Sequence, residues 1–180
     1  MNANKQPLES FPWHVWEQHN GNQRFNAAVG QPGRIISGRL LPGCDMLLGI
    51  IELAKSNGVK SAWVNAFGSL AETNFSPGLR FAASDPDRVE RLPNVNLAGP
   101  IEVWSGMGRL SIPDEGEPVI HFHGVVVSLE GQLYGGHFFP GGNPVYATFE
   151  VHIQELLDIE FKVEMDPVVE LPMIEPIQKA

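Results

Sequence analysis

Val119-Ile-His-Phe-His-Gly-Val-Val-Val-Ser-Leu-Glu-Gly-Gln-Leu-Tyr-Gly-Gly-His-Phe-Phe139 is the stretch on which the reading of this chain turns. Its first ten residues are rich in β-branched side chains and predict a strand. Leu129-Glu-Gly-Gln132 is the turn, and Leu133 to Phe139 is the returning strand. Gly131 suits the left-handed position of a type I turn with a G1 bulge. That turn pairs Ser128 with Gln132 and therefore sets His123 opposite His137, with His121 two residues along on the same face. Directly opposed side chains have Cβ atoms roughly 4.5–5.5 Å apart, so three imidazoles meet. A plain two-residue turn at Glu130-Gly131 is the alternative; it slips the register by one and sends His137 to the other face.

Neutral imidazoles bind zinc and other late first-row divalent ions, and three of them leave a position open for water. The candidate metal ligands are thus His121, His123 and His137, and the implied cofactor is a divalent metal, zinc foremost. Gly135-Gly136 before His137 allows the close backbone approach that a ligand site needs. Glu150, the only acid in the predicted strand Val145–Ile153, is the candidate general base or partner to a ligand. His152 shares its face. The alternative is metal-free: three unconnected histidines hydrogen-bonded on a half-buried strand.

Composition sets the frame. A chain of 180 residues with 43% hydrophobic and 18% charged residues suits one domain with a real core. No stretch reaches the ~20 apolar residues of a membrane span, and the first residues lack the apolar core of a signal peptide. A single cysteine, Cys44, excludes an internal disulfide and fits a reducing cytoplasm. The net charge is −9, and the twelve Lys and Arg are scattered without a run, which makes DNA an unlikely partner. Glycine-rich phosphate loops and a Ser-His-Asp order are absent, so the residues speak for a metal site more than for a named reaction.

Working outward, Gly33 to Leu41 predicts a first strand closed by Pro42-Gly43. Asp45 caps a helix over Met46–Asn57, whose Leu47, Ile50, Ile51 and Ala54 recur at helical spacing and whose stop is Gly58. Strands follow at Val59–Phe67 and Ile101–Ile112. Leu70–Phe75 and Leu79–Ala82 form a hairpin about Ser76-Pro77-Gly78, and Ser84 to Arg88 is loop. The short connections predict an α+β domain with a largely antiparallel sheet and one main helix after the first strand. Residues 1–30 form an N-terminal arm, with Trp13 and Trp16 as apolar points and His14 and His19 solvated. Residues 31–153 form the domain. Residues 154–180 form an acidic, proline-punctuated extension that runs over a surface, expected to be that of a neighbouring subunit.

Several of these motifs, in this order, resemble the plant-and-prokaryote-conserved (PPC) domain family, in the stand-alone type. They are Leu41-Pro-Gly-Cys-Asp-Met46, Ala66-Phe-Gly-Ser-Leu70, Ile120-His-Phe-His123, Gly135-Gly-His-Phe138 and Thr148-Phe-Glu-Val151, spanning about Arg34 to Ile153. The resemblance implies an α+β fold and a compact homotrimer. Plant members join this domain to Arg-Gly-Arg AT-hooks that enter the DNA minor groove; this chain has no Arg-Gly-Arg. It also carries Cys44 where the family commonly places an acid before Asp45. Three functional readings follow: a trimeric metal-binding domain acting on or sensing a small molecule, a DNA-associated regulatory domain, and a metal-free assembly module.

Overall fold

The hairpin at Gly131 forms with the bulged register. Ser128 N donates to Gln132 O (2.9 Å), Gly131 N donates to Ser128 O (2.9 Å), and Gly131 has φ +77°. His123 pairs with His137 and Phe122 with Phe138. These relations come from a computed structural model that describes residues 25–82, 85–166 and 170–179, with backbone alone at 81 and 85–88. The tryptophans and histidines expected in the first 24 residues lie outside the described residues.

The strands are β1 (Gln31–Leu40), β2 (Ser61–Ser76), β3 (Leu79–Ala82), β4 (Asp85–Arg91), β5 (Val95–Ser111), β6 (Val119–Val127), β7 (Leu133–Phe138), β8 (Val145–Leu157), β9 (Ile159–Met165) and β10 (Pro172–Gln178). The helix, α1, is Met46–Ser56. Six strands form one sheet in the order β1-β8-β2-β5-β6-β7, and every pairing among the described residues is antiparallel. β7 also meets the far end of β2, through Phe75 opposite Phe138 and Ser76 opposite His137, so the sheet curls back onto itself. The α+β prediction holds.

Alternation on β6 explains how one strand serves both core and site. Ile120, Phe122 and Val126 are buried, while His121, His123 and Val125 point the other way. Phe122, Phe138 and Phe75 form an aromatic chain in the core, with centroids 6.3 and 5.3 Å apart. The α1 stripe of Met46, Leu47, Ile50 and Ala54 joins the same cluster.

Asp45 is the helix cap and more. Its Oδ1 accepts from Leu47 N (3.1 Å) and Leu48 N (3.0 Å), and its Oδ2 accepts from Asn143 N (3.0 Å). The fully buried Asn143 in turn accepts from Thr73 Oγ1 (2.7 Å) and Asn74 N (3.0 Å), and its amide donates to Phe139 O (2.9 Å). The helix start, β2 and the end of β7 are thereby tied at one point. On the opposite edge, β1 bulges between Pro32 and Ile35 and receives Glu155. Arg34 grips that carboxylate from Nε and Nη2 (2.8 Å each) and holds it down to a pKa of about 2.

Three expectations change. The predicted strands Val59–Phe67 and Leu70–Phe75 are not separate: Ser61–Ser76 is one long strand, because Gly68 (φ +148°) absorbs the bend as a bulge against β8. Leu79–Ala82 pairs with Asp85–Arg91 rather than returning along β2, so the polar run after Ser84 is strand rather than loop. The domain's last strand runs on to Leu157, and the extension folds into the β9–β10 hairpin. That hairpin packs on its own chain: Ser111 Oγ donates to Phe161 O (2.8 Å), and the buried Phe161 ring lies under the Arg109 guanidinium at 5.6 Å.

Gly131 has open space around it, whereas a methyl on Gly136 would collide with Ser76 O, the point where β2 closes on β7. Urea titrations are expected to separate the two. Gly131→Ala should cost about 1 kcal/mol of backbone strain, while Gly131→Asn should stay within about 0.5 kcal/mol because Asn tolerates the left-handed region. Gly136→Ala should cost about 2 kcal/mol, the scale of forced overpacking.

Candidate metal centre

The sheet brings the three predicted imidazoles together. Ring centroids are 4.9 Å apart for His121 and His123, 4.7 Å for His121 and His137, and 5.1 Å for His123 and His137. One nitrogen from each ring lies within 4.8 Å of the other two. His121 Nε2 and His123 Nε2 share a hydrogen bond of 2.8 Å. Three nitrogens on a common tetrahedral zinc, at ~2.0–2.1 Å each, stand roughly 3.3 Å apart. Small side-chain rotations reach that spacing, so the donor set fits a divalent ion in number, type and separation.

Electrostatics keep the rings neutral. Burial pushes His121 down from 6.5 to about 4, helped by His123, Arg109 and Arg91. Burial likewise pushes His137 down to about 3, with His121, Arg91 and His123 adding to it. His123 is lowered too, by burial and then Arg91. Lone pairs are therefore available at neutral pH.

Arg91, the last residue of β4, is the site residue that sequence reasoning missed. Its Nη1 donates to His137 Nδ1 (3.0 Å), and its guanidinium lies over Phe139 at 4.7 Å. Arginine has no acceptor, so Nδ1 of His137 carries no proton in this arrangement. Phe139 also packs on the His137 ring, with centroids 4.5 Å apart. The sequence carries no signal for it beyond a basic residue three positions after the run Ser84 to Arg88 that reads as loop.

The trio opens into a cavity of about 410 Å³. Leu79 and Arg91 from the β3–β4 hairpin form one side, and Val163, Leu171, Met173 and Ile174 of the C-terminal extension form another. Glu150 stands elsewhere. It accepts from Thr148 Oγ1 (2.9 Å) and lines a separate cavity with Phe67, Trp104 and His152. It is not among the residues lining the histidine cavity. The Gly135-Gly136 pair serves the sheet: the close approach at Gly136 is that of Ser76 on β2.

Among known proteins, the fold recurs in solved structures. A metal-containing protein, AF0104 from Archaeoglobus fulgidus, superposes with a TM-score of 0.70 at 23% identity, covering 83% of this chain and 99% of that one. A plant- and prokaryote-conserved protein from Pyrococcus horikoshii gives 0.67 at 25% identity, over 86% and 99%. A Ralstonia eutropha protein provisionally described as DNA-binding gives 0.61 at 20% identity, over 77% and 88%. Among curated proteins, a bifunctional protein GlmU from Synechococcus is 29% identical over an alignment 150 residues long that covers 79% of this chain; the chain spans only about a fifth (21%) of that protein's length. No described helix is long and apolar enough to cross a membrane. The sequence model of the Plants and Prokaryotes Conserved (PCC) domain matches residues 27–157, and the chain belongs to that family.

Proposed function

We propose that this protein is a homotrimeric metal-binding domain that holds a divalent ion, zinc foremost, through His121, His123 and His137 and acts on or senses a small molecule. The observation carrying the reading is the convergence of three neutral imidazoles within 4.8 Å at the mouth of a cavity. The metal-containing description of the Archaeoglobus relative supports it. An ion with three protein ligands and an open position supplies Lewis-acid chemistry or an activated water. Self-association has its own support on the outer face of β2 and β5, where Trp63, Phe67, Trp104 and Met107 are each at least 40% exposed in the single chain. An apolar patch of that kind marks an interaction surface.

Zinc titration of tag-free protein, followed by elemental analysis, is expected to give about one ion per chain in the wild type and at least a tenfold loss of affinity in His123→Ala. Protons compete only with ligands that they occupy. Three histidines at 6.5 would lose about a thousandfold in affinity between pH 7 and 5.5; with His121 near 4 and His137 near 3, less than tenfold is expected here. An absence of bound ion under metal-replete conditions overturns the reading. Light scattering is expected to return three times the 19.8 kDa chain mass.

A DNA-associated role is the second reading, favoured by the description of the Ralstonia relative. Against it stand the net charge of −9 and the lack of any Arg-Gly-Arg. A gel shift over a salt series is expected to show no complex near roughly 150 mM salt, where non-specific phosphate contacts weaken steeply. A retained complex there reverses the ranking.

A further inference from the structure

The histidine cavity has a charge character opposite to that of the chain. The protein carries −9 overall, yet the lining holds one guanidinium, three histidines and no carboxylate. Arg91 has no acid within ion-pair distance among the described residues; its side chain spends one donor on His137 and its flat face on Phe139. Arginine offers five donors in a fork that matches a carboxylate. An exposed guanidinium held in place by an aromatic ring and an imidazole is already oriented, so a bound anion would cost little ordering.

The opposite wall is of another kind. Val163, Leu171, Met173 and Ile174 present only apolar side chains, in the most acidic part of the sequence. The acids of that segment that are described (Glu160, Glu164, Glu170 and Glu175 among them) do not line the cavity. The volume of about 410 Å³ falls in the range of small-molecule sites, apolar with a few converging polar groups.

We propose that the cavity binds a small organic carboxylate, its anionic end on Arg91 beside the histidines and its apolar body against Val163, Leu171, Met173 and Ile174. The inference rests on reading this cavity as the functional site and names the class of molecule that enters it. Arg91 is a binding residue and the extension a specificity wall contributed by the same chain.

The test uses the full chain, zinc-loaded and zinc-free, with hexanoate as the calorimetric probe and hexanamide, acetate and inorganic phosphate as comparisons. Hexanoate is expected to bind at least tenfold more tightly than each of the three. Arg91→Gln should weaken hexanoate at least tenfold, and Arg91→Lys should recover part of the loss. Met173→Gln, which removes apolar surface without adding a charge, should weaken hexanoate while leaving acetate within threefold, with thermal melts confirming that each variant is folded. Equal affinity for hexanamide overturns the anionic half, equal affinity for acetate or phosphate overturns the apolar half, and an unchanged Arg91→Gln overturns the assignment of Arg91. Elemental analysis keeps the two readings apart. Arg91-dependent hexanoate binding by a chain that holds no ion supports this inference while the metal reading fails. A chain that holds its ion but binds no hexanoate does the reverse.

Discussion

One backbone dihedral governs the site: the positive φ of Gly131, which sets the β6–β7 register. A strand pair can slip by one residue at small local cost, but a slip exchanges its two faces. Here the core face of β7 ends in Phe138, which packs on Phe122 and Phe75. The exchanged register would bury His137 in that cluster and expose Phe138. The hydrophobic core and the histidine trio are therefore selected by the same choice, and the core's preference enforces the site's geometry.

Closure of the sheet adds the second half of the site. Because β7 reaches β2 at Ser76, the chain leaving β2 emerges beside His137. After Pro77 and Gly78 the β3–β4 hairpin begins, and it delivers Arg91 to the His137 ring. Gly136 makes this possible by leaving room for the Ser76 carbonyl. The Asp45–Asn143 network fixes the same corner from the helix side, through Thr73, Asn74 and Phe139. Core packing, strand closure and site assembly share one corner of the molecule.

The parts of the fold legible in the sequence are those with local causes. Asp45, the 3.6-residue stripe and Gly58 announce α1 without reference to anything distant. Gly131 and the β-branched run announce the hairpin and, with it, the trio. What escaped has non-local causes. Asp85 to Arg91 is polar and contains Pro86, so its composition argues against a strand; pairing with β3 outweighs that. Arg91 could not be tied to His137, 46 residues away, until β4 was placed. Glu155 looks like one acid among many in an acidic tail, and only the bulge at Gly33-Arg34 shows that it is half of a bidentate ion pair joining the edge strand. Glu150 was singled out because it shared a predicted strand with no other acid, but its face of β8 belongs to a different cavity.

The C-terminal extension shows how a charged segment can contribute an apolar surface. Alternation in β9 sets Val163 on the same face as the buried Phe161, with Ile174 of β10 opposite it; Met173 also reaches the lining, while the acids of the same strands stay off it. A carboxylate on that wall would attract the Arg91 guanidinium and favour protonated histidines, raising the values that burial lowers. Keeping acids off the wall leaves Arg91 without a competitor and the imidazoles neutral. The strongly negative chain thus maintains a cavity whose fixed charge is positive, and the charge that Arg91 lacks is the one a ligand has to bring.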